Sequence, residues 1–175
     1  MNYREIELKE MNRSLFKEFN RYQKVVKCKA KVNGKWEIID RPFIDDWTEE
    51  EYQFLVKCLT HTIEEGGVVF GCFVGNQLKG FASVEGSLIG SHGQYMDLTS
   101  LHVSMECRGR GIGKYLFLLA ANWAKNRGAK KLYLSSHSAI ESQEFYETVG
   151  CKEAEEYNQA HVEQEPCDIQ LEYVL

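Results

Sequence analysis

From Leu101 to Lys114 the chain reads Leu-His-Val-Ser-Met-Glu-Cys-Arg-Gly-Arg-Gly-Ile-Gly-Lys, with Gly109, Gly111 and Gly113 alternating among Arg108, Arg110 and Lys114. Glycines let a backbone turn tightly and come close to a ligand, and the first N–H groups of a following helix are free to bind an anion. Three basic residues in a chain of net charge −5 make the spot locally positive. The chemistry that this pattern suits is the binding of a phosphate-bearing ligand. A tight strand-to-helix turn would use the same glycines, so the motif needs company before it means more.

Spacing narrows the ligand. A Walker A loop needs Gly five residues before Gly113 and Ser or Thr after the lysine, where this chain has Arg108 and Tyr115. The dinucleotide fingerprint Gly-x-Gly-x-x-Gly fails too, because Lys114 follows Gly111 at the third position and Leu116 follows Gly113. Metal chemistry has no visible basis. The six cysteines (Cys28, Cys58, Cys72, Cys107, Cys151, Cys167) contain no Cys-x-x-Cys pair, and the five histidines no His-x-x-x-His pair. Without a secretion signal, each cysteine reads as a reduced, buried small hydrophobe in a cytoplasmic protein.

These residues need elements to hold them. Met11, Leu15, Phe19, Tyr22 and Val26 recur near one helical face, which predicts a helix from about Glu10 to Lys27. Asn33-Gly34 predicts a hairpin between Lys29–Val32 and Lys35–Ile39. Thr48 with Glu51 forms a capping box that opens a helix with a Tyr52, Leu55, Val56, Leu59, Ile63 stripe, ended by Gly66-Gly67. Strands follow at Val68–Val74, Gln77–Val84 and, after a Gly/Ser/His loop, Tyr95–Val103. Lys114–Arg127 is apolar nearly all round and reads as a buried helix, and Lys130–Ser135 as a strand behind it. A second capping box, Ser138 with Glu141, predicts a helix to Val149. Cys167, Ile169, Leu171 and Tyr173 alternate with Asp168, Gln170 and Glu172, the pattern of a strand buried on one face. The order is helices, an antiparallel meander, then β-α-β-α-β, a mixed α/β (α+β) domain.

Composition sets the outer limits. The 175 residues are 43% hydrophobic and 27% charged with two prolines, which excludes disorder and collagen-like repeats and fits a single domain. No apolar run nears the ~20 residues that span a bilayer, and the start lacks a signal peptide's apolar centre. The acidic balance argues against nucleic acid as partner.

With the alternatives gone, what remains is Arg-x-x-Gly-x-Gly on Arg108, Gly111 and Gly113, after a strand carrying Leu101 and Val103. A second marker lies about 30 residues on: Ser142-Gln143-Glu144-Phe145-Tyr146-Glu147-Thr148-Val149-Gly150-Cys151. Together these resemble the GNAT superfamily of acyl-CoA-dependent N-acyltransferases, over residues 68–175, with residues 1–67 in the position of the variable substrate-facing part. Ala139 stands where family members often carry Asn, and Cys151 where Phe is common.

The resemblance implies a splayed, mostly antiparallel sheet flanked by helices. It implies acetyl-CoA as co-substrate, held by Leu101, His102 and Val103 along its pantetheine arm. Arg108, Gly109, Arg110, Gly111, Ile112, Gly113 and Lys114 would hold its pyrophosphate, with Ser138 or His137 in place of the missing Asn. No metal is implied. The acceptor would be a primary amine of a small molecule or peptide, attacking the thioester directly, on a monomer or homodimer. Tyr146 is the candidate acid for the departing thiolate; Asp97, then Glu85, are candidate bases, with Thr99, His102 and His137 in the same water chain. His102, between two apolar strand residues, reads foremost as a satisfied structural histidine, and Asp97 has the alternative of an exposed strand-end carboxylate. Trp36, Asp40, Phe43, Asp45, Asp46 and Trp47 would suit a cationic acceptor, but equally a solvated surface with core anchors, which is the favoured reading. The tail Glu163–Cys167 could shape the acceptor pocket. A non-catalytic acyl-CoA-binding sensor is the alternative from a different class.

Overall fold

The computed structural model describes residues 1–175. Its strands and helices are β1 (Asn2–Glu5), β2 (Gln23–Val32), β3 (Lys35–Asp45), α1 (Glu49–Glu64), β4 (Val68–Val74), β5 (Gln77–Ile89), β6 (Tyr95–Val103), α2 (Ile112–Asn126), β7 (Lys131–Ser136), α3 (Ile140–Val149), β8 (Lys152–Glu153), α4 (Gln159–Gln164) and β9 (Ile169–Val174). Seven strands form one sheet in the order β1-β4-β5-β6-β7-β9-β8, and β2 with β3 forms a separate hairpin. Every pairing is antiparallel except β6 with β7. The mixed α/β architecture with a mostly antiparallel sheet is the one that the sequence led us to expect.

Each face of the sheet has its own core. On one side α2 lays Leu116, Phe117, Ala120 and Ala124 against Val84, Met96, Leu98, Leu132 and Leu134. On the other, α1 contributes Tyr52 and Leu59 to a cluster with Phe16, Phe19, Val69, Phe73 and Phe81. The capping box opens α1 as its sequence demands: Thr48 Oγ1 accepts from the Glu51 N–H at 3.3 Å, and the Glu51 carboxylate accepts from the Thr48 N–H at 2.7 Å. Gly86 lets the end of α1 settle onto β5, since a Cβ there would lie 2.5 Å from the Glu65 carbonyl oxygen.

β6 is the strand on which the molecule turns. It pairs with β5 along most of its length, with one extra residue, Thr99, where Ser83 faces Ser100 and Val84 faces Leu98. With β7 it pairs only at Tyr95–Lys131, Met96–Leu132 and Asp97–Tyr133. A bulge bends its strand. Beyond Asp97 the two strands part, and the edge of Leu98–Val103 that faces β7 has no strand on it.

Several expectations fail for physical reasons. There is no helix over Glu10–Lys27: two 3-10 turns (Leu8–Glu10, Arg13–Phe16) lead into β2, and Val26 is 47% exposed. Met11, Phe16 and Phe19 are buried, so the apolar spacing reports burial of turns rather than a helical face. The hairpin forms at Asn33-Gly34, both at positive φ, but runs from Gln23 to Asp45. Ser138 does not cap α3. Ala139 is the N-cap residue, and the Gln143 side chain instead donates to Ser136 Oγ at 3.0 Å and to the His137 carbonyl at 2.9 Å. Cys58 and Cys167 are exposed, not buried. α2 is not buried all round, for Tyr115 and Leu118 lie half exposed.

The C-terminal strand departs most. β9 lies between β7 and β8, and the tail packs over its polar side: Gln170 is 2% and Glu172 0% exposed. Glu172 accepts from Tyr95 at 2.6 Å, from Lys131 at 2.8 Å and from the Glu155 N–H at 3.2 Å, with Lys152 at 3.3 Å. Burial resists its ionisation, yet the bonds from Lys131, Tyr95, Glu155 and Lys152 prevail and hold its carboxyl down at about 2. Removing one partner of such a buried pair strands the other. Glu172→Gln should therefore cost about 3 kcal/mol at neutral pH, or roughly 6–12 °C in Tm. A carboxyl with a lowered folded-state pKa stabilises above its unfolded value and loses that contribution as pH falls. The deficit of the variant, measured by thermal melts, should shrink between about pH 5 and pH 2; an undiminished deficit would mean that packing, not charge, is at stake.

Candidate functional site

The glycine loop leaves β6 through a 3-10 turn (Met105–Cys107) and enters α2 at Gly111. Gly109 (φ 73°) and Gly111 (φ 80°) are left-handed, a conformation that only glycine adopts cheaply. Gly111 is the N-cap residue and offers no side chain to the first turn of α2, so the N–H groups there keep their capacity for an anion. Arg110 and Lys114 are exposed and form no ion pair. Arg108 is different: its Nε donates to the Val103 carbonyl and its guanidinium to the Arg21 carbonyl, both at 3.0 Å. It clasps the end of β6 to the chain before the hairpin. Ile112 is buried under the turn, and Gly113 brings α2 within 3.3 Å of the Phe145 ring, measured from where its Cβ would stand.

The open edge of β6, carrying Leu101, His102 and Val103, runs straight into this loop. Its far end is the last rung, Asp97 opposite Tyr133. Asp97 is not an exposed strand end; it is 6% exposed. One carboxylate oxygen lies 2.5 Å from His161 Nε2, and the other is buried without a partner. Glu85 is tied elsewhere, accepting from Thr62 at 2.7 Å and from Thr99 at 3.1 Å, with Thr99 also bonded to Ser83 at 2.8 Å. Thr99 therefore belongs to the Glu85 network.

Tyr146 stands on α3 with its ring edge-on to Phe117 and Phe145. Its hydroxyl makes no hydrogen bond within the protein, and burial, with the nearby Cys151 and Asp168, pushes its pKa well above the usual phenol value. It keeps its proton at neutral pH. His102 is not a satisfied histidine. Its ring sits between Trp47 (4.8 Å) and Phe81 (5.3 Å) with no hydrogen bond to either nitrogen. Burial first, then Arg21, Arg108 and His137, hold its pKa well below the ordinary 6.5, so it is neutral.

The hairpin closes over the outer end of β7. Cys28 bridges Ala139, and the Lys29 N–H donates to the Ser138 carbonyl at 2.8 Å. Between them lies a cleft of about 310 Å³ lined by Arg41, Phe43, His137, Ser138, Cys167 and Asp168. Ser138 and His137 thus face this cleft, and Cys167 enters it from the tail. Asp168 has its carboxyl raised to about 7 by burial and by its neighbour Glu165. The acidic-aromatic stretch is largely spent on attachment: Trp36 donates to Glu153 at 2.9 Å, Asp45 pairs with Arg21, Asp46 caps the Trp47 N–H at 3.0 Å, and Trp47 packs on Phe19 and Tyr52. His161 escaped the sequence reading. It lies on a six-residue helix, α4, in the tail, and no motif or spacing marks it.

Comparison with known proteins agrees with this geometry. Residues 19–151 match the Acetyltransferase (GNAT) family. Among solved structures, a putative streptothricin acetyltransferase from Bacillus anthracis in complex with acetyl coenzyme A superposes with a TM-score of 0.72 at 17% identity, over 99% of this chain and 96% of that one. Nourseothricin acetyltransferase gives 0.68 at 14% identity, over 98% and 95% of the two chains. An aminoglycoside 6'-N-acetyltransferase complexed with coenzyme A gives 0.61 at 14%, over 99% and 97%. No curated protein matches the sequence. The strand that parts from its neighbour, the glycine turn it feeds and the match over residues 19–151 together make this chain a member of the Acetyltransferase (GNAT) family.

Proposed function

We propose that the protein transfers the acetyl group of acetyl-CoA to a primary amine of a small molecule or peptide. The observation that carries this reading is the open edge of β6 between Leu98 and Val103, which leads into a helix start without a side-chain cap. An extended pantetheine arm can add to such an edge as a strand would. The N–H groups from Gly109 to Lys114, with Arg110 and Lys114 unpaired beside them, suit the pyrophosphate. Arg108 supports the site by shaping it, and Ser138 and His137 by lining the cleft next to it.

At the acetyl end, an alkyl ammonium must lose a proton before it attacks, and the thiolate gains one as it leaves. Asp97 takes the first role in our reading, because it stands on the last rung before the fork with His161 bonded to it, whereas Glu85 is held through one oxygen by Thr62 and Thr99. Tyr146 takes the second, since its hydroxyl is protonated and free. The cleft that Arg41, Phe43 and Asp168 line is where we place the amine acceptor. The test is thiol release from acetyl-CoA over a panel of streptothricin, an aminoglycoside, spermidine, lysine and a lysine peptide. Coenzyme A binding with no release for any of them would leave a binding module in place of an enzyme.

Two variants probe the parts. Gly111→Val forces a β-branched residue into positive φ and puts a side chain where the pyrophosphate approaches, so coenzyme A affinity should fall at least ~10-fold by calorimetry on the folded variant. Unchanged affinity would remove the loop from the site. Tyr146→Phe deletes a hydroxyl that nothing in the protein uses, so Tm and coenzyme A affinity should hold while kcat falls ~10²-fold. A kcat within twofold of the parent, with chemistry rate-limiting, would end the acid role.

A further inference from the structure

Asp97 is a buried carboxylate with half of its partners. The side chain is 9% exposed; one oxygen lies 2.5 Å from His161 Nε2, and the other, Oδ1, is shut from solvent with nothing to accept from. Buried carboxylate oxygens are seldom left this way, because the lost hydration is not replaced. This one stands on the last rung before β6 and β7 separate.

α4 supplies the other half. The helix buries none of its six residues, so it adds little to the core. It is nonetheless anchored: the Asn158 side chain accepts from the Ala160 N–H at 3.0 Å, and the Asn158 N–H donates to Tyr133 at 2.8 Å. The anchor places the His161 ring flat on Tyr133, with centroids 5.8 Å apart and planes 23° apart. The groups that face His161 are Asp97 from β6, neutral Tyr133 from β7, Glu165 at the end of α4 and Asp168 from the turn before β9. Glu156 adds its field at Tyr133. The bond to Asp97 first, and then the fields of Asp97, Glu165 and Asp168, outweigh burial and raise the His161 pKa above 6.5. Its Nδ1 makes no hydrogen bond, and the side chain is 21% exposed.

We propose that Asp97 and His161 form one proton-accepting pair for a protonated primary amine, in which the ammonium donates to the partly exposed Nδ1 of a neutral His161 and the buried Asp97 carboxylate, bonded to Nε2, holds the imidazole and strengthens its pull on the proton. The proposal rests on the acetyltransferase reading and deepens it. An N–H bond of the ammonium breaks, its electrons stay on nitrogen, and the proton bonds to Nδ1. The freed lone pair bonds to the thioester carbonyl carbon, and the C–S bond breaks with its electrons on sulfur. Of the two protons that nitrogen loses, one passes from His161 to solvent, and the other ends on the sulfur. A charged His161 has no lone pair with which to accept; a neutral His161 has one, and the pair then carries one net negative charge. Activity must therefore rise as His161 loses its proton, above about pH 6.5.

His161→Gln tests it, because the amide keeps a donor to Oδ2 but cannot ionise. The measurement is kcat/KM from pH 5.5 to 9 with saturating acetyl-CoA and the best acceptor of the amine panel, beside an NMR titration of the histidine Hε1 signals. The parent should show an acid limb with an apparent pKa above about 6.5. His161→Gln should lose that limb, with kcat/KM down ~10²-fold at pH 8 and coenzyme A affinity unchanged. Asp97→Asn should return the His161 titration to about 6.5 or lower. It should also cost ~10²-fold in kcat/KM at pH 7, the deficit shrinking as pH nears the amine's own pKa. A histidine with a merely structural role would cost activity equally at every pH. An unchanged limb in His161→Gln, or a His161 titration unmoved by Asp97→Asn, overturns the pair while the acetyltransferase reading stands. A parent that binds coenzyme A and acetylates no amine overturns both.

Discussion

Two parallel strands that hold together for three rungs and then part leave backbone N–H and C=O groups without partners, in the middle of a sheet whose other strands are paired. Unpaired backbone groups are costly, so an interior edge of this kind persists only where other contacts hold the strands apart. β7 is held from its far side by six rungs to β9, and β6 by its pairing with β5. The bulge at Thr99 bends β6, and Gly113 lies against both the Phe145 ring and Val103. The gap is thus built into the framework, and the edge of Leu98–Val103 is left without a strand.

The glycine turn follows from the same strand. The chain passes from β6 through one short turn into α2, whose first N–H groups receive no side-chain cap. Positive charge there is local, for the chain as a whole carries −5. Arg108 shows how a basic residue in a glycine loop can serve the loop itself: with its donors on two carbonyls and its charge half buried, it sets the path of the chain, while the exposed Arg110 and Lys114 face solvent.

At the closed end of the gap the interior is polar. Glu172, Gln170, Tyr95, Tyr133 and Asp97 are all buried on or beside β7 and β9. Most are matched: Tyr133 donates to Gln170 at 2.5 Å, and Gln170 to Ser135 at 2.9 Å. A matched polar interior fixes side-chain positions more sharply than an apolar one, since each group has few acceptable partners. The tail from Glu155 to Glu165 is what covers it, bringing a backbone N–H to Glu172 and an imidazole to Asp97.

Local sequence was sufficient wherever one short stretch determines its own conformation. The Asn33-Gly34 turn, the Thr48–Glu51 capping box, strands Val68–Val74 and Tyr95–Val103, and the glycine turn into α2 all follow from residues within a few positions of each other. So does the membership of Arg108, Gly111, Gly113 and Tyr146 in a recognisable pattern. Tertiary structure decided what depends on residues far apart. Met11–Phe19 is buried as turns because α1 and β5 cover it, and β9 is buried on both faces because the tail closes over its polar side. Asp97 meets His161 across 64 residues of chain, joined by α4 docking on Tyr133. Periodicity reports only that a residue is buried on some face, and burial of a polar residue depends on which distant partner satisfies it; that partner exists only once the chain has folded.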